Sequence, residues 1–126
     1  MILVDSNILI DYYKSRNSKI ANIIDSTDVA ICGVVKTELL HGAINDDEID
    51  KFLHSFSTFE LKVTDEYDWE FSGLMLQTLR QNGLQVPVTD AMIAYIAIKY
   101  DIPLWTKDHH FKLIQAVYPE LQLYQN

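Results

Sequence analysis

The chain is poor in cysteine, glycine and proline, and each scarcity excludes a class of protein. Its one cysteine, Cys32, cannot form an internal disulfide or a cysteine-rich zinc site, and it is typical of a reducing cytoplasm. Four glycines and three prolines in 126 residues are too few for a disordered or fibrous chain. No apolar run reaches the roughly 18 residues that span a bilayer, and the start lacks a basic signal-peptide segment. We therefore expect a cytoplasmic protein with no membrane partner.

Positive charge is also scarce. Ten Lys and Arg residues stand against 18 Asp and Glu, which gives a net charge of −8. This balance lacks the overall basic footprint of most nucleic-acid-binding proteins. The basic residues nevertheless fall into two local groups, and an acidic protein with basic patches can still bind a polyanion or a basic protein. The groups are Lys14, Arg16 and Lys19, and Lys107, His109, His110 and Lys112.

The apolar pattern alternates short strands with helices. Fully apolar runs at residues 2–4 and 29–32 predict strands buried on both faces, and further short strands are predicted at 59–63, 103–106 and 121–124. A helix capped by Ser6 or Asn7 is predicted after the first strand, and further helices are predicted over 18–25, 34–44, 46–56, 65–81, 91–100 and 108–117. We expect one domain over residues 1–126, folded as a three-layer α/β/α sandwich around a central, mostly parallel sheet.

Residues 65–81 carry the clearest amphipathic pattern. Their apolar side chains recur three or four positions apart, which predicts a buried stripe: Tyr67, Phe71, Leu74, Met75 and Leu79. The aromatic side chains of Trp69 and Phe71 are predicted to belong to the core. Gly83 is predicted to end the helix.

Four acidic residues lie where apolar elements break. Asp5 follows the first strand, Asp108 follows the strand at 103–106, and Asp90 opens the apolar helix at 91–100. Glu38 lies at the edge of the apolar stripe of the helix at 34–44. Because functional groups gather at the carboxyl ends of parallel strands, we expect the four carboxylates in one cleft. Such a cluster repels itself, and its oxygens suit Mg²⁺ or Mn²⁺ and phosphodiester chemistry.

Considered singly, these residues have structural explanations. Asp90 and Asp108 can each stabilise a helix dipole, and Glu38 can be a solvated edge residue. Asn7 and Thr106 can be caps. The set of four favours a metal site, because the structural explanation requires four independent coincidences. We interpret His41 and His110 as surface or RNA-facing groups.

Three segments carry a family resemblance. ILVDSNILIDYY, VVKTELLHGA and VTDAMIAYIAIKYDIPLWTKDHHF closely resemble the PIN domain family, particularly VapC-type toxin ribonucleases of toxin–antitoxin modules. The resemblance implies a PIN-like fold, with Asp5, Glu38, Asp90 and Asp108 as the catalytic, metal-binding acids. It implies that Asn7 and Thr106 support them.

The resemblance also implies an activity and partners. We expect an endoribonuclease that uses Mg²⁺ or Mn²⁺ for two-metal-type hydrolysis of RNA, with tRNA as the first substrate to consider. Lys36, Lys107 and His109 are candidate contacts for RNA phosphates. A cognate antitoxin and a homodimer are the expected protein partners. Many relatives carry an acid where this chain has His110, which is expected to lower the affinity for a second metal ion.

Two other functions fit parts of the pattern. Phosphoaspartyl chemistry would use Asp5 as the nucleophile with Thr106 and Lys107 beside it, although the segment after Asp5 lacks the second Asp of the dehalogenase pattern. A PIN-like module that only binds RNA or protein is the second alternative. His110 favours that alternative, whereas the four intact acids oppose it.

Overall fold

The computed structural model describes residues 1–15 and 17–125. Arg16, which we placed in the first basic group, lies outside the described residues. The strands are β1 (Ile2–Val4), β2 (Val29–Cys32), β3 (Glu60–Lys62) and β4 (Leu104–Trp105). The helices are α1 (Ser6–Lys14), α2 (Ser18–Ser26), α3 (Gly33–His41), α4 (Asp46–Phe56), α5 (Glu66–Gln81), α6 (Val88–Lys99) and α7 (His110–Val117).

The four strands form one parallel sheet in the order β3-β2-β1-β4. Leu3 pairs with Ala30 of β2 on one side and with Leu104 of β4 on the other. The chain moves outward from β1 to β3 and then returns to the opposite side of β1. Because crossovers between parallel strands are right-handed, the two directions place their helices on opposite faces of the sheet. The result is the predicted three-layer α/β/α sandwich, which confirms the fold class.

The core forms around β1, β2 and α6. Every residue of β1 and β2 is buried, as the uninterrupted apolar runs predicted. Helix α6 buries six residues on several sides, which fits a helix in the middle of the molecule: Ala91, Met92, Ile93, Ala94, Ile96 and Ala97. Across the two described ranges, no helix is both long enough and apolar enough to cross a membrane.

The predicted buried stripe of α5 is partly wrong. Met75 and Leu79 are buried, but Tyr67, Phe71 and Leu74 are 57%, 50% and 57% exposed. Trp69 is exposed as well, so the aromatic side chains predicted to be core lie on the surface.

The face that α5 turns inward includes Asp68 and Ser72, which are both buried. Asp68 is tolerated there because the Lys99 ammonium on α6 donates to both of its carboxylate oxygens, at 3.0 and 2.8 Å. Residues recur at helical spacing on two faces of α5. The face with Asp68 and Ser72 packs against the core, and the more apolar face with Tyr67, Phe71 and Leu74 is exposed.

The segment after α7 differs from its prediction. We predicted a strand at residues 121–124, whereas the structure has a single bridge between Leu104 and Leu123. Two backbone hydrogen bonds hold this segment against β4, from Leu104 to Gln122 and from Tyr124 to Leu104. The pairing stops there, so the segment covers the sheet edge without extending it as a strand.

Several helix starts also differ from their predictions, and α6 begins at Val88, three residues before its predicted start. Asp5, and neither Ser6 nor Asn7, caps α1, because its carboxylate accepts from the Ser6 backbone N–H. Helix α7 begins at His110, two residues later than predicted, and the Asp108 side chain accepts from the His110 backbone N–H at 2.9 Å. Gly83, with a φ of 82°, follows the end of α5 as predicted.

Candidate metal centre

The strand order reverses at β1, where the chain returns to form β4 on its free side. In open α/β sheets, such a reversal opens a crevice at the carboxyl ends of the strands. Asp5 follows β1 directly, and Asp108 lies in the loop after β4. Glu38 lies on α3 after β2, and Asp90 lies in the first turn of α6. The fold therefore leads all four predicted acids to this crevice.

Asp5 is the most buried acid of the set, at 5% exposure. Its Oδ1 accepts from the Ser6 backbone N–H at 2.7 Å, and its Oδ2 accepts from the Thr106 hydroxyl at 2.7 Å. The Asn7 amide donates to the same Oδ2 at 3.4 Å. Burial raises the pKa of Asp5, the hydrogen bonds from Thr106 and Ser6 oppose the rise, and the nearby Asp108 adds to it.

Asn7 and Thr106 connect the ends of β1 and β4. The Thr106 hydroxyl accepts from the Asp108 backbone N–H at 3.0 Å while it donates to Asp5. The Asn7 side-chain oxygen accepts from the Lys107 backbone N–H at 3.2 Å. Both side chains therefore orient the loop that carries Asp108 relative to Asp5, which is more than the capping role that each residue could have had alone.

Glu38 and Asp90 face the same crevice from α3 and α6, which pack against each other. Desolvation raises the pKa of Glu38, and the charges of Asp5 and Asp90 raise it further. Desolvation also raises the pKa of Asp90, followed by the charges of Asp108 and Asp5, with His110 opposing. These electrostatic effects connect Asp5 with each of the other three acids, and Asp90 with Asp108. Among the described residues, Asp5 and Glu38 lie outside the group of ligand atoms within 4.8 Å of one another, which consists of Asp90, Asp108 and His110.

His110 lies nearer to the acids than we predicted. Its Nδ1 is 3.5 Å from Asp90 Oδ2 and 3.4 Å from Asp108 Oδ1. The ligand atoms of these three residues all lie within 4.8 Å of one another, although the His110 side chain is 55% exposed. Its position two residues after Asp108, where many relatives have an acid, was the signal for this placement.

Of the three candidate RNA contacts, Lys107 and His109 line one cavity beside Asp108, and Lys36 lies apart from them. Lys36 extends over the Phe56 ring, 5.5 Å from its centroid, and lies two residues before Glu38, on a different side of α3. Lys107 forms an ion pair with Asp11 of α1. His109 is exposed and lines a cavity beside Asp108. Of the three, His109 is therefore the one that is exposed beside Asp108 without an ion pair among the described residues.

The donor set fits a divalent cation. Within residues 1–15 and 17–125, no lysine or arginine forms an ion pair with any of the four acids. Clustered carboxylates without cationic side chains are costly, and hard divalent cations that prefer oxygen ligands reduce this cost. Burial raises the pKa of Cys32 to about 11, so its thiol is not the nucleophile of this site.

Comparison with known proteins supports the same family. Residues 2–117 match the family model described as PIN domain. The chain belongs to the PIN domain family. This PIN domain is 30% identical over 116 residues to Ribonuclease VapC1 of Methanocaldococcus jannaschii, which covers 90% of this chain and 81% of the relative.

Solved structures resemble this PIN domain over almost its full length. VapBC2 from Rickettsia felis, bound to a DNA fragment from its promoter, has a TM-score of 0.82 and 25% identity, with 98% of both chains covered. A toxin–antitoxin complex from Klebsiella pneumoniae has a TM-score of 0.76 and 22% identity, with 100% of both chains covered.

In this PIN domain, Lys107 is not placed as the phosphoaspartyl alternative requires. That chemistry requires a cation beside the strand-end Asp, but the Lys107 ammonium lies on Asp11. The groups on the Asp5 carboxylate are neutral donors from Ser6, Asn7 and Thr106. The arrangement around Asp5 therefore favours metal chemistry over a covalent acyl-phosphate.

Proposed function

We propose that this PIN domain is a metal-dependent endoribonuclease, the toxin of a type II toxin–antitoxin module that acts in the cytoplasm. The observation that carries the proposal is the close group of Asp90, Asp108 and His110, whose ligand atoms lie within 4.8 Å of one another near the switch point of the sheet. Asp5 ends the adjoining strand and Glu38 lies on the adjoining helix, and among the described residues no lysine or arginine forms an ion pair with any of the four acids. The likeness to a relative named Ribonuclease VapC1 supports RNA as the substrate, and tRNA is the first RNA to test.

Asp5, Glu38 and Asp90 would hold one Mg²⁺ or Mn²⁺, and Asp108 would complete that site or help to hold a second ion. When bound, the metal polarises the scissile phosphate and lowers the pKa of the water that attacks it. In-line hydrolysis of this kind leaves a 5′-phosphate and a 3′-hydroxyl.

The residues around the acids would position them for this reaction. The hydrogen bonds from Ser6 and Thr106 fix both oxygens of Asp5, so its carboxylate cannot rotate freely. Thr106 also fixes the backbone of Asp108 through one hydrogen bond. These contacts preorganise the two acids, so less reorganisation is needed when substrate binds.

The decisive experiment is the substitution Asp5→Asn. Asn keeps the size of the side chain and the acceptor for Ser6, but it removes the charge that a cation requires. We expect RNA cleavage to fall by at least about a hundredfold, because a ligand of the metal is lost. Cleavage is measured on purified RNA with Mg²⁺ or Mn²⁺, and the ends of the products are sequenced.

Asp50→Asn is the matched control, because Asp50 is exposed on α4. It should cleave like the wild type, and circular dichroism should show both variants folded. Wild-type cleavage by Asp5→Asn, or full cleavage in excess EDTA, would contradict the proposal. A pure protein that binds RNA but never cuts it would favour the binding-module alternative.

Two protein partners belong to the proposal. We propose a cognate antitoxin, which the likeness to the toxin–antitoxin complex supports, and an arginine from it could pair with the carboxylates. A groove of about 570 Å³ beside Glu38 offers it an apolar surface, lined in part by Leu61, Trp69 and Val88. We also propose a homodimer, and the exposed aromatic and aliphatic side chains of α5 support it.

A further inference from the structure

A second cavity adjoins the candidate metal centre at Asp108. It has a volume of about 410 Å³ and is bounded by α2, the end of β4 and the start of α7. Asp108 and Thr106 form part of its wall, so it opens onto the candidate metal centre. Volumes of roughly 300–1,000 Å³ are typical of sites for small ligands, so the space can take one unit of a nucleotide chain.

Positive charge collects in this cavity although the chain as a whole is acidic. Its charged lining consists of Lys19, Lys107, Lys112 and Asp108, with His109 beside them. Three of the ten Lys and Arg residues therefore share one cavity in a chain of net charge −8. The fold brings Lys19, from the first basic group of the sequence, to the second group, about 90 residues later. We call this space the lysine cavity.

The three lysines do not have the same availability. Lys107 forms an ion pair with Asp11, which neutralises much of its charge. In the parts of the chain that the structure describes, neither Lys19 nor Lys112 forms an ion pair, and both are exposed. Lys19 and Lys112 are therefore the cations of the lysine cavity that can bind an anion without losing an existing partner.

We propose that the lysine cavity binds the phosphate backbone of the RNA strand next to the scissile phosphate, with Lys19 and Lys112 as the phosphate contacts. This inference rests on the proposed function and deepens it by giving the strand a direction away from the metal centre. RNA fits better than an acidic protein segment, because the cavity continues from the acid that the reacting phosphate must meet. A strand held there places its next phosphates on the two lysines.

The test measures RNA binding separately from cleavage. A fluorescein-labelled single-stranded RNA is titrated by fluorescence anisotropy at several KCl concentrations with Mg²⁺ present. All proteins carry Asp90→Asn, which is expected to prevent cleavage during the titration. Lys19→Gln, Lys112→Gln and the double variant are compared with Lys51→Gln. Lys51 is exposed on α4 and lines a different cavity, so it controls for a general loss of positive charge.

Each single substitution in the cavity should weaken binding and reduce the slope of log K against log salt concentration by about 0.7, the value for one contact to a single-stranded phosphate. The double variant should lose about twice that slope, and Lys51→Gln should leave it unchanged. An unchanged slope in the double variant would overturn the inference, as would an equal loss in the control. Polyglutamate, which imitates an acidic protein segment, is titrated in the same way. If the double variant loses affinity for polyglutamate but keeps its affinity for RNA, the cavity binds an acidic protein instead.

These outcomes remain distinct from those of the nuclease experiment. A protein that binds RNA through Lys19 and Lys112 but cuts none would keep this inference and overturn the proposed function. If the wild type cleaves RNA but the double variant has the same salt slope as the protein with both lysines, the proposed function stands and this inference is overturned.

Discussion

Thr106 shows how one side chain can order two acids. A backbone N–H can only donate, so the contact from Asp108 makes the Thr106 oxygen an acceptor there. The single hydroxyl proton is then directed to Asp5, 2.7 Å away. Because Thr106 donates to the carboxylate, this hydrogen bond favours the ionised form of Asp5. A hydrogen bond to a charged group contributes roughly 1.5–3 kcal/mol to the stability of the fold. Thr106 therefore offsets part of the cost of burying that charge.

The raised pKa of Glu38 leads to a prediction for stability without metal. A carboxyl with a raised pKa in the folded state binds its proton more tightly there than in the unfolded chain. Its contribution to stability therefore falls as the pH rises from its ordinary pKa of 4.5 through the folded value. Glu38→Gln removes this penalty, so we expect the variant to unfold at a higher temperature than the wild type at pH 7 in EDTA.

Thermal unfolding followed by circular dichroism measures this difference. The gain should disappear at about pH 4, below the ordinary pKa, where Glu38 is largely protonated in both states. It should also shrink when Mn²⁺ is added at pH 7, because the cation relieves the same repulsion. A variant that is less stable than the wild type in EDTA at pH 7 would show that the desolvation and repulsion of Glu38 do not destabilise the metal-free protein.

His110 leads to a prediction for metal affinity. Its Nδ1 lies within 3.5 Å of both Asp90 and Asp108, so an acid in its place would add an oxygen ligand to that pair. Mg²⁺ prefers oxygen to imidazole nitrogen. We expect His110→Asp to bind Mg²⁺ roughly tenfold more tightly, the size of effect seen when groups around a metal are changed. Isothermal titration calorimetry gives the affinity and the stoichiometry.

His109→Asp is the matched control, since it makes the same change one residue away, on a side chain that lines the lysine cavity. An equal gain in both variants would mean that net charge, rather than ligand geometry, sets the affinity. No gain in His110→Asp would remove His110 from the metal centre.

At the scale of one element, α5 has two faces of different character. Its inward face carries Asp68, whose charge is matched by Lys99 of α6. Burial alone would raise the pKa of Asp68, but the hydrogen bonds from Lys99 and the Asp65 backbone lower it. The outward face carries Tyr67, Phe71 and Leu74, which are each at least half exposed. A contiguous apolar surface of this kind is typical of a protein contact.

This face predicts how the homodimer forms. We expect the wild type to be a dimer in light scattering at micromolar concentration, and the double variant Phe71→Ser, Leu74→Ser to be a monomer. Both side chains are about half exposed, so the fold should survive the change. Leu53→Ser, on an equally exposed leucine of α4, should remain a dimer. A monomeric wild type, or a double variant that stays dimeric, would exclude α5 as the interface.

At the scale of the whole molecule, two different surfaces adjoin the same acids. The apolar groove reaches Glu38, and the lysine cavity reaches Asp108. A polyanion suits the lysine cavity, whereas an apolar protein segment suits the groove. The proposed substrate and the proposed antitoxin would therefore approach the metal centre over different surfaces, one at Asp108 and the other at Glu38.

This arrangement predicts how an antitoxin would bind. The proposed antitoxin should bind the purified protein and inhibit cleavage. Trp69→Ser should weaken that complex at least tenfold, because Trp69 lines the groove and is 59% exposed. Leu113→Ser, on α7, should have no effect. Surface plasmon resonance measures both, and equal affinity of Trp69→Ser and the wild type would exclude the groove.

The sequence by itself determined the two central strands, β1 and β2, and the place of Asp5 at the end of β1. Residues 2–4 and 29–32 are apolar without interruption, and only a strand covered on both faces buries such short runs completely. Because Asp5 ends the first of them, its place at the carboxyl edge followed directly, and the family motifs supplied the other three acids. These features are local in the chain, so pattern and motif were sufficient, and the predicted fold class and family are confirmed.

Only the tertiary structure decided which faces meet. The periodicity of α5 allowed either of two faces to pack inward. The face with Asp68 is buried because Lys99, 31 residues away, neutralises its charge. The meeting of Lys19 with Lys112 and the place of His110 between two acids depend on how distant segments pack. The spacing of residues in the sequence does not predict such contacts, because they form between distant elements only when the folded chain packs them together.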